Sequence, residues 1–148
     1  MTSPFSEPFS LVLVEDDAGH ASLIRRNLKR SGVQNTIEHL ESGLEAMNYF
    51  FGPDQPERHY DKMVAVLDLN LPDIDGFEIL KNLKASEKTR RMPVIVLTTT
   101  DSPKDIDRCY ALGCNVFMNK PVGYDEFSEA IQKLGLMMTI VRVPHIND

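Results

Sequence analysis

Cysteine is scarce: Cys109 and Cys114 are the only two in 148 residues. Two cannot make a disulfide framework, so the expectation is a pair of reduced, partly buried thiols in a cytoplasmic protein. No apolar run reaches the roughly 18 residues that a membrane span requires. Met1 to Ser10 lack a basic start leading into an apolar stretch, and no secretory signal is expected. No block of positive charge stands out. Sixteen Lys and Arg are interspersed among twenty-two Asp and Glu, for a net charge of -6. Broad attraction to nucleic acid is therefore not expected. No strand-like segment is followed by a glycine-rich phosphate loop, which argues against a nucleotide-binding α/β protein. His20, His39, His59 and His145 show no metal-ligand spacing and read as surface residues. There are no internal repeats and no low-complexity segment.

What remains is a chain of ordinary globular composition, long enough for one domain with its own core. Strand-like and helix-like segments alternate, which favours an α/β fold with a largely parallel sheet. Leu11 to Val14 reads as the first strand and Ala18 to Arg30 as a helix with Ala21, Ile24 and Leu28 at helical spacing. Ser31-Gly32 is a helix stop. Thr36 to Leu40 is a weak second strand near an edge. Ser42 with Glu45 three residues on is a capping-box pattern opening a helix to about Phe51. Gly52 to Asp61, with two prolines, is expected as the longest surface loop. Met63 to Leu67 is a continuous apolar run, as a strand buried on both faces requires. Gly76 to Ala85, the Val94 to Leu97 strand, a helix capped by Asp101 or Ser102 with Pro103 in its first turn, a short Val116 to Met118 strand and an Asp125 to Leu134 helix complete the pattern.

Four of these strands end on polar side chains. Glu15-Asp16-Asp17 follows the first, Asp68 the third, Thr98 the fourth and Lys120 the fifth. In a parallel α/β sheet the carboxyl ends of the strands are where ligands bind. A buried-looking carboxylate such as Asp68 is costly unless something uses or pairs it. Taken singly, each has a plain structural explanation. Three acids before a helix suit its N-terminus. Asp17 in particular reads as a helix cap or a rim residue, and Asp73 and Asp75 read as turn residues. Phe117 reads as core.

Together and in this order, the residues resemble the receiver domain of a two-component response regulator, over roughly residues 10 to 136. The resemblance implies a CheY-like fold, a doubly wound (βα)5 domain with a five-stranded parallel sheet in the order 2-1-3-4-5. Residues 1–9 are then an N-terminal tail and 137–148 a C-terminal extension. Asp68 resembles the phosphate-accepting aspartate, and the protein would be a phosphoacceptor signalling protein and not an enzyme in the usual sense. Mg²⁺ would be held by Asp16 and Asp68 and by the backbone carbonyl of Asn70, with Glu15 acting through a water. Lys120 would contact the phosphoryl oxygens, Thr98 would be the switch hydroxyl and Phe117 the switch aromatic. Pro121 is expected after a cis peptide. The chain departs from the family's usual pattern at Glu15, where aspartate is commoner, at Thr99, where Ala or Gly is common, and at Val122, where Phe is frequent. A bulkier Thr99 is expected to narrow access to Asp68.

Only twelve residues follow Leu136, so output is expected from the receiver itself, as a stand-alone regulator. The loop before the third strand, Leu67 to Pro72, Thr98-Thr99 and the C-terminal segment resemble the small response regulators of cyanobacterial and bacterial phytochrome histidine kinases. That implies a sensor histidine kinase of phytochrome type as partner. It also implies a homodimer formed by the face of the fourth helix, fifth strand and fifth helix with help from Leu136 to Val143. One alternative is a phosphorylation-independent binding module, against which the complete Asp16, Asp68, Thr98 and Lys120 set argues. Another is a phosphatase of the haloacid dehalogenase type, which needs an aspartate where Asn70 stands.

Overall fold

The computed structural model describes residues 10–30, 35–100, 102–120, 125 and 129. Five parallel strands, β1 (Ser10–Val14), β2 (Ile37–Leu40), β3 (Met63–Leu67), β4 (Val94–Thr98) and β5 (Val116–Asn119), form one sheet in the order β2-β1-β3-β4-β5. Between them run α1 (Ala18–Arg30), α2 (Gly43–Phe51), α3 (Gly76–Ala85) and α4 (Pro103–Leu112). The topology is the doubly wound one expected.

Alternation along the strands explains why both faces are covered. Successive side chains of a strand point to opposite sides. Leu11, Leu13, Val64, Val66, Ile95 and Leu97 pack with Ala21, Ile24 and Leu28 of α1 on one face. Val12, Val14, Ala65, Leu67, Val94 and Val96 pack on the other with α2, α3 and Cys109 of α4. Each fully buried Leu or Ile contributes about 1.5–3 kcal/mol relative to exposure, so the central strands are fixed strongly in place. Cys109 and Cys114 are both free and buried, and burial pushes the Cys109 thiol up to about 11.

Several local signals act as the sequence indicates. Asp17 accepts from the His20 N–H at 2.9 Å and caps α1. Ser42 caps α2 by accepting from the Glu45 N–H at 3.0 Å, but the return bond of the box lands one residue early, from the Glu41 N–H to Glu45 Oε2. Ser102 stands at the start of α4, yet its hydroxyl makes no capping bond; Thr100 Oγ1 bonds Asp105 Oδ2 of the first turn instead. Gly113 ends α4 at φ 104°, where a side chain would be strained, and lets Cys114 N–H reach the Cys109 carbonyl. The Gly52 to Asp61 loop ends in a short 3-10 turn, Tyr60–Lys62, that buries Tyr60. The Ser31-Gly32 stop, Asp101, the peptide before Pro121, Val122, most of the fifth helix, the N-terminal tail and the C-terminal extension lie outside the described residues. No described helix is long and apolar enough to cross a membrane.

Candidate functional site at the carboxyl ends of the strands

Register brings the polar strand ends together. Val14 pairs with Leu67, and the ladder runs one residue further through the Asp68 N–H to the Val14 carbonyl at 3.0 Å. Glu15 and Asp68 are therefore neighbours. Thr98 pairs with Asn119, and the Lys120 N–H bonds the Thr98 carbonyl at 2.6 Å. That places Lys120 across the sheet end from the acids. Lys120 Nζ donates to Asp68 Oδ2 at 3.1 Å and also to Glu15 Oε1. Glu15, Asp68, Thr98 and Lys120 are all buried, while Asp16 is exposed.

Glu15, Asp16 and Asp68 each offer a carboxylate oxygen within 4.8 Å of the other two. Three hard oxygen donors at that separation fit a small divalent cation such as Mg²⁺ or Mn²⁺, one exposed acid leaving an approach from solvent. The acids differ in proton affinity. Burial, and next the adjacent Asp68 carboxylate, push Glu15 up to about 8 against the pull of Lys120. Burial would raise Asp68 too, but Glu15, the Asn70 N–H and Lys120 outweigh it and hold Asp68 below the ordinary carboxylate value. The pair thus favours a proton on Glu15 and a charge on Asp68.

The loop after β3 is built around Asp68. The Asn70 N–H donates to Asp68 Oδ1 at 3.0 Å. Gly76 opens α3 directly against this turn: a Cβ there would lie 2.5 Å from Leu69 Cα and 2.9 Å from the Asp68 carbonyl oxygen. Asp75 caps α3 through the Phe77 N–H at 3.0 Å. Asp73, read as a turn residue, also reaches α2, where it accepts from Gly43 and Leu44. Phe117 is half-buried against the core on the α3–α4 side, and its N–H donates to Tyr110 Oη at 3.2 Å.

Two histidines, neither of them buried, have partners at the site that the surface reading did not give them. His20 Nδ1 stands 3.4 Å from Lys120 Nζ and 3.8 Å from Glu15 Oε1, at the rim of the acid cluster. His39 Nε2 bonds the Glu15 carbonyl at 2.8 Å from β2. A helix beginning three residues after Glu15 turns its first residues back over the strand end, and that was the signal for His20. His39 has only its pairing opposite Leu13 to announce it.

The known proteins agree with this geometry. The family model described as "Response regulator receiver domain" matches residues 11–132. Two curated relatives are FilR2 of Methanothrix harundinacea, a probable methanogenesis regulatory protein, and the response regulator Rcp1 of Synechocystis. FilR2 is 38% identical over 86% of this chain and 82% of its own. Rcp1 is 30% identical over 89% and 90%. A receiver domain from Rhodospirillum rubrum superposes with a TM-score of 0.84 at 45% identity, covering 91% of this chain and 96% of that one. Rcp1 in its Mn²⁺-bound form gives 0.83 at 29%, covering 93% and 100%. The phosphorylated cyanobacterial phytochrome response regulator RcpA gives 0.80 at 27%, covering 94% and 100%. With the strand order, the polar strand ends and these matches in agreement, the chain belongs to the response regulator receiver domain family.

Proposed function

We propose that Asp68 accepts a phosphoryl group from a sensor histidine kinase with Mg²⁺ held by Asp16, Asp68 and the Asn70 carbonyl, and by Glu15 through a water. The observation that carries this is the buried Asp68 carboxylate, kept charged beside Lys120 and two further acids. An Asp68 oxygen attacks phosphorus as the bond from phosphorus to the kinase histidine nitrogen breaks; the imidazole, carrying a proton on its other nitrogen, leaves neutral, and Asp68 becomes an acyl phosphate. Mg²⁺, when bound, offsets negative charge on the phosphoryl oxygens. Lys120, already 3.1 Å from Asp68, supplies a fixed second cation to the same oxygens. Thr98 donates its hydroxyl to the acyl phosphate, and Phe117 turns into the space it leaves. The output is a changed α4–β5 face, extended by the fifth helix.

The sensor kinase is proposed to be of phytochrome type. Support comes from the likeness to RcpA, which is named as a phytochrome response regulator. The same face, with the segment 136–143, is proposed as a homodimer contact, and the protein as cytoplasmic. Light scattering at tens of micromolar tests the dimer, and a clean monomer counts against it. For the phosphoacceptor role, the chain is incubated with Mg²⁺ and acetyl phosphate. Intact mass should rise by one phosphate, and Asp68→Asn should abolish the gain; an unchanged wild-type mass overturns the reading.

A further inference from the structure

Asn70 is tied to two strands at once. Its backbone N–H donates to Asp68 Oδ1, while its side-chain amide donates to Thr98 Oγ1 at 2.9 Å and to Thr99 Oγ1 at 2.8 Å. A primary amide carries two N–H donors, and here each has its own hydroxyl. Consecutive residues of a strand point to opposite faces. Both hydroxyls can meet one amide because β4 ends at Thr98 and the chain turns there. Thr98 is fully buried, whereas Asn70 and Thr99 are exposed. A buried hydroxyl is therefore held from the solvent side by a side chain that is itself anchored a second time.

On the phosphoacceptor reading, on which the consequence rests, Thr98 moves toward a phosphoryl group on Asp68. That movement stretches its bond from the Asn70 amide, and the bond to Thr99 keeps the amide from following. We propose that the Asn70 side chain is a latch that holds the Thr98 hydroxyl at the loop after β3 and opposes the switched position, with Thr99 as its second anchor. Thr99 then acts by fixing the latch, not only by its bulk near Asp68. Asn70 is a positioning residue in this role, since its amide acts on Thr98 and not on the transferred group.

The test uses the full chain and beryllofluoride, a phosphoryl mimic, titrated at saturating Mg²⁺. Asn70→Ala should bind it about threefold to tenfold tighter, the worth of one net hydrogen bond. Thr99→Ala should move affinity in the same direction. In a Thr98→Val background, Asn70→Ala should change nothing, a non-additivity that general loosening of the loop would not produce. A second measurement needs no phosphoryl mimic: the carbon shift and three-bond couplings of the Thr98 methyl report its rotamer by NMR, and they should change in Asn70→Ala. Additive effects on affinity, or an unmoved Thr98 methyl in a protein that binds beryllofluoride, overturn the latch. Failure of the wild type to bind beryllofluoride, with the methyl still moved by Asn70→Ala, overturns the phosphoacceptor reading instead.

Discussion

Asp73 Oδ1 accepts a hydrogen bond from the Gly43 N–H at 2.9 Å, thirty residues back along the chain. Its other oxygen accepts from the Leu44 N–H at 2.8 Å. The loop that carries Asp68 is thereby pinned to the N-terminus of α2, where the helix has unsatisfied donors and a positive end. These two N–H groups hold the Asp73 carboxyl below its ordinary value.

Asp73→Ala should therefore loosen both ends of the contact. Amide exchange at Gly43 and Leu44 is expected to speed up, and the melting temperature to fall. Asp73→Asn keeps an acceptor oxygen and should lie between. Unchanged protection of those two amides in Asp73→Ala would refute the tether.

Gly76→Ala should act on the site from behind. The added methyl has no room against Leu69 Cα and the Asp68 carbonyl, both of them backbone. Overpacking of this kind costs about 1–3 kcal/mol. A lower melting temperature together with slower phosphate uptake at Asp68 is expected. Wild-type stability would mean that the turn shifts freely, contrary to the packing described.

Much of this architecture could be read from the sequence, and the exceptions share a cause. The strands β1, β3 and β4 announce themselves as apolar runs because both faces are buried, and a polar residue, Glu15, Asp68 or Thr98, stands at or just after the end of each. The bounds of β1, β2, β4 and β5 each differ by one residue from those expected, and β2 and β5 carry the weaker apolar signal, one with alternating exposure and the other only half-buried. Asp68, Lys120 and the acids were legible from their places at strand ends. The side-chain roles of Asn70 and Asp73 were not: their partners lie 28 to 30 residues away, and nothing local distinguishes a turn residue that bonds across the fold from one that faces water. His20 differs: its place in the first turn of α1, just after Glu15, is a local signal, and only its contact with Lys120, 100 residues away, is not.

Lys84 is a further long-range group that the helical pattern alone does not reveal. Its ammonium donates to the Arg90 carbonyl at 3.2 Å, the Met92 carbonyl at 2.8 Å and Asn115 Oδ1 at 3.0 Å. Asn115 Oδ1 in turn accepts from the Val94 N–H, so one cation joins α3 to the entries of β4 and β5. Lys84→Met retains the aliphatic stem and removes all three bonds. A loss of about 2 kcal/mol in chemical denaturation is expected, the scale of hydrogen bonds to a charged group. A loss below a few tenths would show that the bonds are replaced by water.

Glu15 links proton and metal. Burial and the Asp68 carboxylate raise it from 4.5 to about 8, so a proton on Glu15 is expected at neutral pH in the absence of a cation. The folded chain then binds more protons than the unfolded chain between those two values. The stability that Glu15 contributes without metal is therefore fully present below about 4.5 and is lost as pH rises toward 8, with a slope of at most about 1.4 kcal/mol per pH unit from this group. Asp68 is shifted the other way, and its contribution is lost only in acid below its ordinary value of 3.8, outside that window. A divalent cation competes for the same carboxylate cluster, so its binding at pH 7 should expel the Glu15 proton. Calorimetric titration with Mg²⁺ in buffers of different ionisation enthalpy should show close to one proton released per ion at pH 7 and much less above pH 9. Glu15→Gln should abolish the release. Heats independent of the buffer at pH 7 would mean that Glu15 is already ionised there and that Lys120, not a proton, balances its charge.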